Sequence, residues 1–164
     1  MACVRDSRLA DMADVAAIAN ETLTNPFISW RSRPLSKLDI AAWREDGQDQ
    51  KDLFRVVEAN SKVVGFATLG PFKLESGFEQ TKELSIYVAS CARGSGIGKI
   101  LMKDALQPQV GVRKIISAID ASNEGSVRLH EQFGFEQVGY LPSVGFTADE
   151  PRDLILMMYS LNSD

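Results

Sequence analysis

Leu84-Ser85-Ile86-Tyr87-Val88-Ala89 runs, within a few residues, into Arg93-Gly94-Ser95-Gly96-Ile97-Gly98. The first run has the β-branched and aromatic side chains of a strand. After the second, Ile97, Ile100, Leu101 and Ala105 recur on one helical face. A strand, a glycine turn and a helix therefore follow one another. The alternating glycines leave backbone N–H groups uncovered by side chains. These groups lie at a helix N-terminus, where the macrodipole favours negative charge. The turn suits a diphosphate, and Arg93 adds a fixed positive charge.

The flanking sequence supplies the rest of the sheet. Towards the N-terminus, residues 62–69 and 53–59 read as two strands, joined by the hairpin signal Asn60-Ser61. Residues 47–52 are polar and read as a turn. Two helices precede it, over residues 11–23 and 36–45, with Ser36 as N-cap of the second. A first strand covers residues 4–9. Towards the C-terminus, the helix after the glycines must stop near Pro108, and residues 113–119 form a β-branched strand. Ser122 or Asn123 caps a further helix that ends at Gly134. Strands over residues 135–141 and 154–161 finish the chain. The order β-α-α-β-β-β-α-β-α-β-β implies a mixed α/β sheet with helices on both faces.

Composition narrows the function. The chain has 164 residues, 45% hydrophobic, which suggests one domain (1–164) with a real core. Its 18 basic and 22 acidic residues give a net charge of −4, which argues against nucleic acid as the main partner. No apolar run approaches the ~20 residues of a membrane span. The N-terminal residues carry no apolar signal region, and Cys3 and Cys91 make no disulfide framework, so a cytoplasmic protein is expected. One histidine and two distant cysteines give no metal-ligand spacing, so no metal is expected.

Two diphosphate readings fail on spacing. In a nucleotide-triphosphate loop the first glycine would fall on Arg93, and Ile100 stands where a Ser or Thr should hold magnesium. For a dinucleotide fold, Asp120 is 22 residues after Gly98, near the place of a ribose-binding acid. But Gly-x-Gly-x-Gly is one residue short of that fingerprint.

A third pattern fits. Arg93-x-x-Gly96-x-Gly98 resembles the Arg/Gln-x-x-Gly-x-Gly/Ala signature of the GCN5-related N-acetyltransferases (GNAT). Asn123-x-x-Ser126-x-x-Leu129-His130-x-x-x-Gly134-Phe135 is similar to that family's second motif, with His where Tyr is usual. Within the family the chain resembles the phosphinothricin and methionine sulfone (sulfoximine) acetyltransferases. The stretches that carry this are Gly70-Pro71-Phe72, residues 77–88, Ala118-Ile119-Asp120 and Gly139-x-Leu141-Pro142-x-Val144-Gly145-Phe146. The resemblance implies a mostly antiparallel central sheet, acetyl-CoA as cosubstrate, a small-molecule amine as acceptor, and a homodimer.

The resemblance also implies roles for particular residues. The amides of Arg93, Gly94, Ser95, Gly96, Ile97, Gly98 and Lys99 would bind the pyrophosphate. Ile86, Tyr87 and Val88 would pair with the pantetheine arm, and a backbone amide there would support an oxyanion. Ser126, in the second motif, would also contact the cofactor. Glu83, in the family's glutamate position, is the candidate base. On residues alone it could equally be a solvated strand-end carboxylate. Asn123 is an ordinary N-cap or a pantetheine ligand as well. His130, with an unperturbed pKa of ~6.5, could protonate the leaving thiolate; a packed, satisfied ring is the alternative. Trp30, Phe27 and Phe72 either line the acceptor pocket or pack as core aromatics under a loop. Cys91 is a bystander.

The departures concentrate where the family holds its acceptor. Glu79 stands in place of an arginine thought to hold the acceptor's acidic group, and the resemblance places Thr81 with it among the acceptor-binding residues. Residues 147–152 replace a Lys/aromatic/Gly-rich stretch. Glu79, Asp149 and Glu150 together suggest a cationic or neutral amine. An acyl-CoA-binding or sensor module without turnover is the rival from another class.

Overall fold

A computed structural model describes residues 2–24, 30–31, 33–46, 52–147 and 150–161. Phe27 and Asp149, and most of the turn expected at 47–52, lie outside the described residues. Seven strands form one sheet: β1 (Cys3–Asp6), β2 (Leu53–Ala59), β3 (Lys62–Pro71), β4 (Thr81–Val88), β5 (Lys114–Asp120), β6 (Glu136–Thr147) and β7 (Glu150–Ser160). Their order is β1-β2-β3-β4-β5-β7-β6. Only β4 and β5 run parallel; the other neighbours are antiparallel, so the expected mixed, mostly antiparallel sheet is what forms. Asn60 and Ser61 both take positive φ (51° and 61°), the twist a two-residue hairpin requires.

The sheet has helices on both faces. Against one lie α1 (Met12–Glu21) and α2 (Lys37–Asp46). Val15, Ile18 and Ile40 of these helices bury against Val56 and Phe66 of the sheet. Phe66 in turn stacks on Tyr87, with ring centroids 4.7 Å apart. Against the other face lie α3 (Ile97–Ala105) and α4 (Glu124–Gln132). There Leu101 and Met102 bury with Val57, Ala67, Leu84 and Ile115. The alternation Val56/Val57 and Phe66/Ala67 is the period-2 signature of a sheet buried on both sides.

Capping follows the sequence. Ser36 and Asp39 exchange bonds across the first turn of α2: the Ser36 amide donates to Asp39 Oδ2 (2.7 Å) and the Asp39 amide to Ser36 Oγ (3.3 Å). Asn123, not Ser122, caps α4, accepting from the Ser126 amide at 3.2 Å.

Several boundaries differ. The first strand, expected over 4–9, is Cys3–Asp6, and Leu9–Asp11 form a short 3-10 turn instead. β3 continues to Pro71, where a break was expected after Leu69. β6 and β7 run well beyond 135–141 and 154–161, and their hairpin takes in the stretch that departs from the family pattern. Pro142, and Ser143 at φ 51°, interrupt the alternation there, and the register shifts between Leu141 and Gly145. The strand is real but has no clean period for a sequence to show.

Candidate active site

The site begins where β4 and β5 part. They pair only at Thr81↔Lys114, Lys82↔Ile115 and Glu83↔Ile116. Beyond that, β4 goes on pairing with β3 as far as Val88, and β5 goes on pairing with β7 as far as Asp120. From Leu84 onward β4 thus turns an edge towards a wedge-shaped opening. Two side chains stand at its base. Ser117 of β5 places its hydroxyl 3.1 Å from the Leu84 carbonyl. His130 of α4 places Nε2 3.0 Å from that same hydroxyl.

One side of the wedge is a cleft of about 700 Å³. All twelve residues expected to hold the cofactor line it: Ile86, Tyr87 and Val88 from β4, residues 93–99 from the turn and α3, and Asn123 and Ser126 from α4. Gly94 and Gly96 have φ of +76° and +88°, values that L-residues with a side chain rarely adopt. They turn the chain so that the first-turn amides of α3, which have no acceptor within the helix, face the cleft. Gly98 serves a different need: a Cβ there would lie 3.1 Å from Leu129, so its absence lets α4 close over α3. Arg93 is tied back, its Nε donating to the Val88 carbonyl at 3.3 Å. The cleft also includes Thr22, Ala92, Gly125, Arg128, Leu129 and Gln132. Gly125, Arg128, Leu129 and Gln132 share one face of α4 at helical spacing. Thr22, from the far side of the sheet, had no sequence signal.

On the other side is a hollow of about 230 Å³, with Glu83, Ser85, Tyr87, Ser117, Asn123, His130 and Trp30 among its walls. Glu83 also borders a third hollow of about 590 Å³, beneath Trp43 and over β2 and β3. Burial raises the pKa of the Glu83 carboxyl above its ordinary value.

His130 is 3% exposed and both ring nitrogens have protein partners. Nδ1 lies 2.8 Å from the Ser126 carbonyl, which can only accept, so Nδ1 carries a proton. Nε2 faces Ser117, and Phe135 packs edge-on at 4.8 Å. Burial lowers its pKa, the Ser126 bond opposing, which favours the neutral ring and leaves Nε2 as an acceptor facing the Ser117 hydroxyl. That hydroxyl has one proton to give, either to Nε2 or to the Leu84 carbonyl. The ring is packed and both its nitrogens are partnered, and it borders the 230 Å³ hollow.

The expected acceptor residues divide. Trp30 reaches the 230 Å³ hollow and lies flat on Gly145 of β6, where any side chain would collide with the ring. Phe72, Glu79 and Thr81 line none of the three hollows among the described residues. Phe72 instead packs edge-on against Phe78 (5.8 Å), and Glu79 is exposed on the turn before β4.

A buried ion pair beside the site had no sequence signal. Arg152 Nη2 of β7 lies 2.7 Å from Asp120 Oδ1, and both side chains are nearly covered. Arg152 also donates to Ser122 Oγ at 2.7 Å, while the Ser122 amide donates to Asp120 at 2.9 Å. The Asn123 amide donates to the Asp120 carbonyl at 2.9 Å. Asp120, read in sequence beside a ribose-binding acid, is instead the post on which the α4 cap is fixed.

Comparison with known proteins agrees with this geometry. Residues 15–135 match the acetyltransferase (GNAT) family. The chain is 30% identical, over 98% of its length and 95% of the relative's, to an L-methionine sulfoximine/L-methionine sulfone acetyltransferase of Pseudomonas aeruginosa. It is 29% identical to a phosphinothricin N-acetyltransferase of Streptomyces viridochromogenes, over 87% of this chain and 79% of that one. An acetyltransferase from Salmonella typhimurium, solved with its cofactor acetyl-CoA, superimposes with a TM-score of 0.94 at 28% identity, covering 99% of this chain and 95% of that one.

Proposed function

The chain belongs to the acetyltransferase (GNAT) family, and from that premise we propose that it moves the acetyl group of acetyl-CoA onto the amine of a small molecule of the amino-acid-analogue class. One observation carries the reading. The cofactor cleft and the Glu83 hollow share walls at Ile86, Tyr87, Asn123 and Ser126, so the two compartments meet at the fork between β4 and β5.

Acetyl-CoA, when bound, supplies an acetyl group already activated as a thioester. The amides of residues 93–99 hold the pyrophosphate. The released edge at Ile86, Tyr87 and Val88 pairs with the pantetheine arm as a missing strand would. Its N–H groups also stand ready where negative charge builds on the acyl oxygen. Asn123 orients the arm from the α4 cap. Glu83 takes the proton of the amine. An amine of pKa ~10.4 is almost wholly protonated at pH 7, and a positioned carboxylate contributes ~10²–10⁴ in rate. Its upward shift brings it nearer the working pH, as a base requires. His130 positions Ser117 and the Leu84 carbonyl at the root of the fork; as proton donor to the thiolate it would first have to leave one of its partners.

Two coarser inferences go with this. Val138, Tyr140, Val144 and Phe146 are each at least half exposed along the outer strand β6, which supports a homodimer formed on that edge. Cys3 and Cys91 are free and exposed, as suits a reducing cytoplasm.

Thiol release from acetyl-CoA with a panel of primary amines, run beside calorimetric binding of acetyl-CoA, tests the reading. Binding with amine-dependent release is expected. Binding without release with any amine would leave a sensor module; failure to bind overturns both.

A further inference from the structure

The strand register explains how the hollow of about 590 Å³ arises between α2 and the sheet. Three cross-strand rows face that side. Val56, Phe66 and Tyr87 make the first, which packs against α1 and α2. Phe54, Thr68 and Ser85 make the second, and Gly70 and Glu83 the third. Period-2 alternation keeps Phe66, Thr68 and Gly70 on one face of β3. Their side chains shrink from a phenyl ring to a small hydroxyl group to none, so the floor drops towards Glu83. Trp43 of α2 stands over it, with Leu74 fully exposed at the rim. The Arg31 guanidinium steadies that roof, 5.5 Å from the centre of Trp43 and 5.7 Å from that of Tyr87, while its Nη2 donates to the Ala19 carbonyl at 3.0 Å.

Gly70 is the telling residue. Its φ is not positive, and a Cβ built on it would meet no atom within 4 Å. Neither a turn nor a close approach calls for glycine there, and glycine weakens a strand interior. What its missing side chain leaves is open space beside Glu83. The chemistry of the walls says what fits that space. Trp43, Leu53, Phe54, Pro71 and Leu74 are apolar. The charged side chains among the described residues of the lining are Asp52 and Glu83, both acidic. Asp52 is already paired with Lys82, and both of those side chains are buried. An anionic group would find no cation on these walls, and a cationic one would find Asp52 taken. The volume lies within the range of about 300–1,000 Å³ usual for small-molecule sites. Glu83 borders both this hollow and the 230 Å³ one that meets the cofactor cleft. An amine at Glu83 can thus face the thioester while the rest of the molecule extends under Trp43.

We propose that the 590 Å³ hollow holds the acceptor's side chain, that the preferred acceptors carry a bulky, neutral, apolar one, and that Gly70 sets how large it can be. This rests on the acetyltransfer reading above. It narrows the cationic or neutral amine expected from Glu79, Asp149 and Glu150 to the neutral class.

The test is thiol release from acetyl-CoA by the wild type, Gly70→Val and Thr68→Leu with matched acceptors. L-Alanine, L-leucine and L-phenylalanine vary size; L-methionine against L-methionine sulfone, and L-leucine against L-glutamate, vary polarity at similar size. Ethylamine and 2-phenylethylamine repeat the size comparison without a carboxyl group. For the wild type, kcat/KM should rise by about tenfold or more from alanine to leucine and phenylalanine, and methionine should exceed its sulfone. Gly70→Val, a residue type that strands favour, should lower the phenylalanine-to-alanine ratio by about tenfold or more. Thr68→Leu fills the same space from the neighbouring row and should lower that ratio too, which keeps the test decisive if one variant fails to fold. Equal losses on large and small acceptors would make these positions structural and overturn the proposal. So would a wild type that prefers alanine, the sulfone or glutamate, with acetyltransfer itself left standing. Absence of release with every acceptor, although acetyl-CoA binds, would overturn acetyltransfer as well.

Discussion

From Arg93 to Lys99 the protein offers its ligand backbone; across the fork, around Arg31, Trp43 and Glu83, it offers side chains. The cofactor side is one contiguous turn whose geometry follows from glycines at φ +76° and +88°. The hollows across the fork are assembled from the α1–α2 connection, α2, β4, β5 and α4, which meet only in the folded molecule. A backbone site tolerates drift in the side chains around it. A side-chain site can be rewritten by single substitutions. The lesson is that one half of a reaction can be held constant while the other half changes its partner.

The sharpest way to separate the halves is Glu83→Gln. It should lower kcat by ~10²–10⁴ and leave KM for acetyl-CoA unchanged, measured by steady-state thiol release. The same variant tests the pH dependence. The Glu83 carboxyl, raised by burial, is protonated as pH falls and is then lost as a base. The wild-type kcat/KM should therefore drop on an acid limb set above the ordinary glutamate value, and Glu83→Gln should lack that limb. A fully active variant would remove Glu83 from the chemistry.

Arg152→Met comes next, because the ion pair touches both halves. Removing one partner of a buried pair costs about 3–5 kcal/mol, here read as a lower Tm. Since Asp120 fixes the Asn123 cap, KM for acetyl-CoA should rise in parallel. An unchanged Tm would mean that the serine contacts alone suffice for Asp120.

Gly96→Ala is the smallest change and stays within the cofactor half. No atom lies within 4 Å of a Cβ built there, so the cost is purely conformational, about 1–2 kcal/mol. That cost should be read as a lower Tm, with the acid limb from Glu83 untouched. A shift of that limb would show that the two halves are coupled.

The same contrast explains what the sequence could reveal. Asn60-Ser61, Asn123, Gly134 and the glycines of the turn are local signals, since each needs only its neighbours to define its backbone. They place the sheet, the helices and the turn that lines the 700 Å³ cleft. Arg31 between Trp43 and Tyr87, Ser117 beneath His130, and Arg152 on Asp120 are meetings of residues far apart in the chain, with no local period to announce them. Glu79 shows the same limit: its charge reversal was legible, but its place outside the three hollows was not.

The fork has one more consequence. A strand that stops pairing normally lies at the rim of a sheet, where another chain can add to it and where proteins protect themselves with lysines, prolines or bulges. Here the open edge of β4 begins at Leu84, in the middle of seven strands, with β5 and α4 standing across from it. A second polypeptide in sheet register would find β5 in its way, whereas a slender arm with one amide at a time would not. The edge can therefore carry Ile86 and Val88 with no charged guard between them, and the topology itself protects against aggregation.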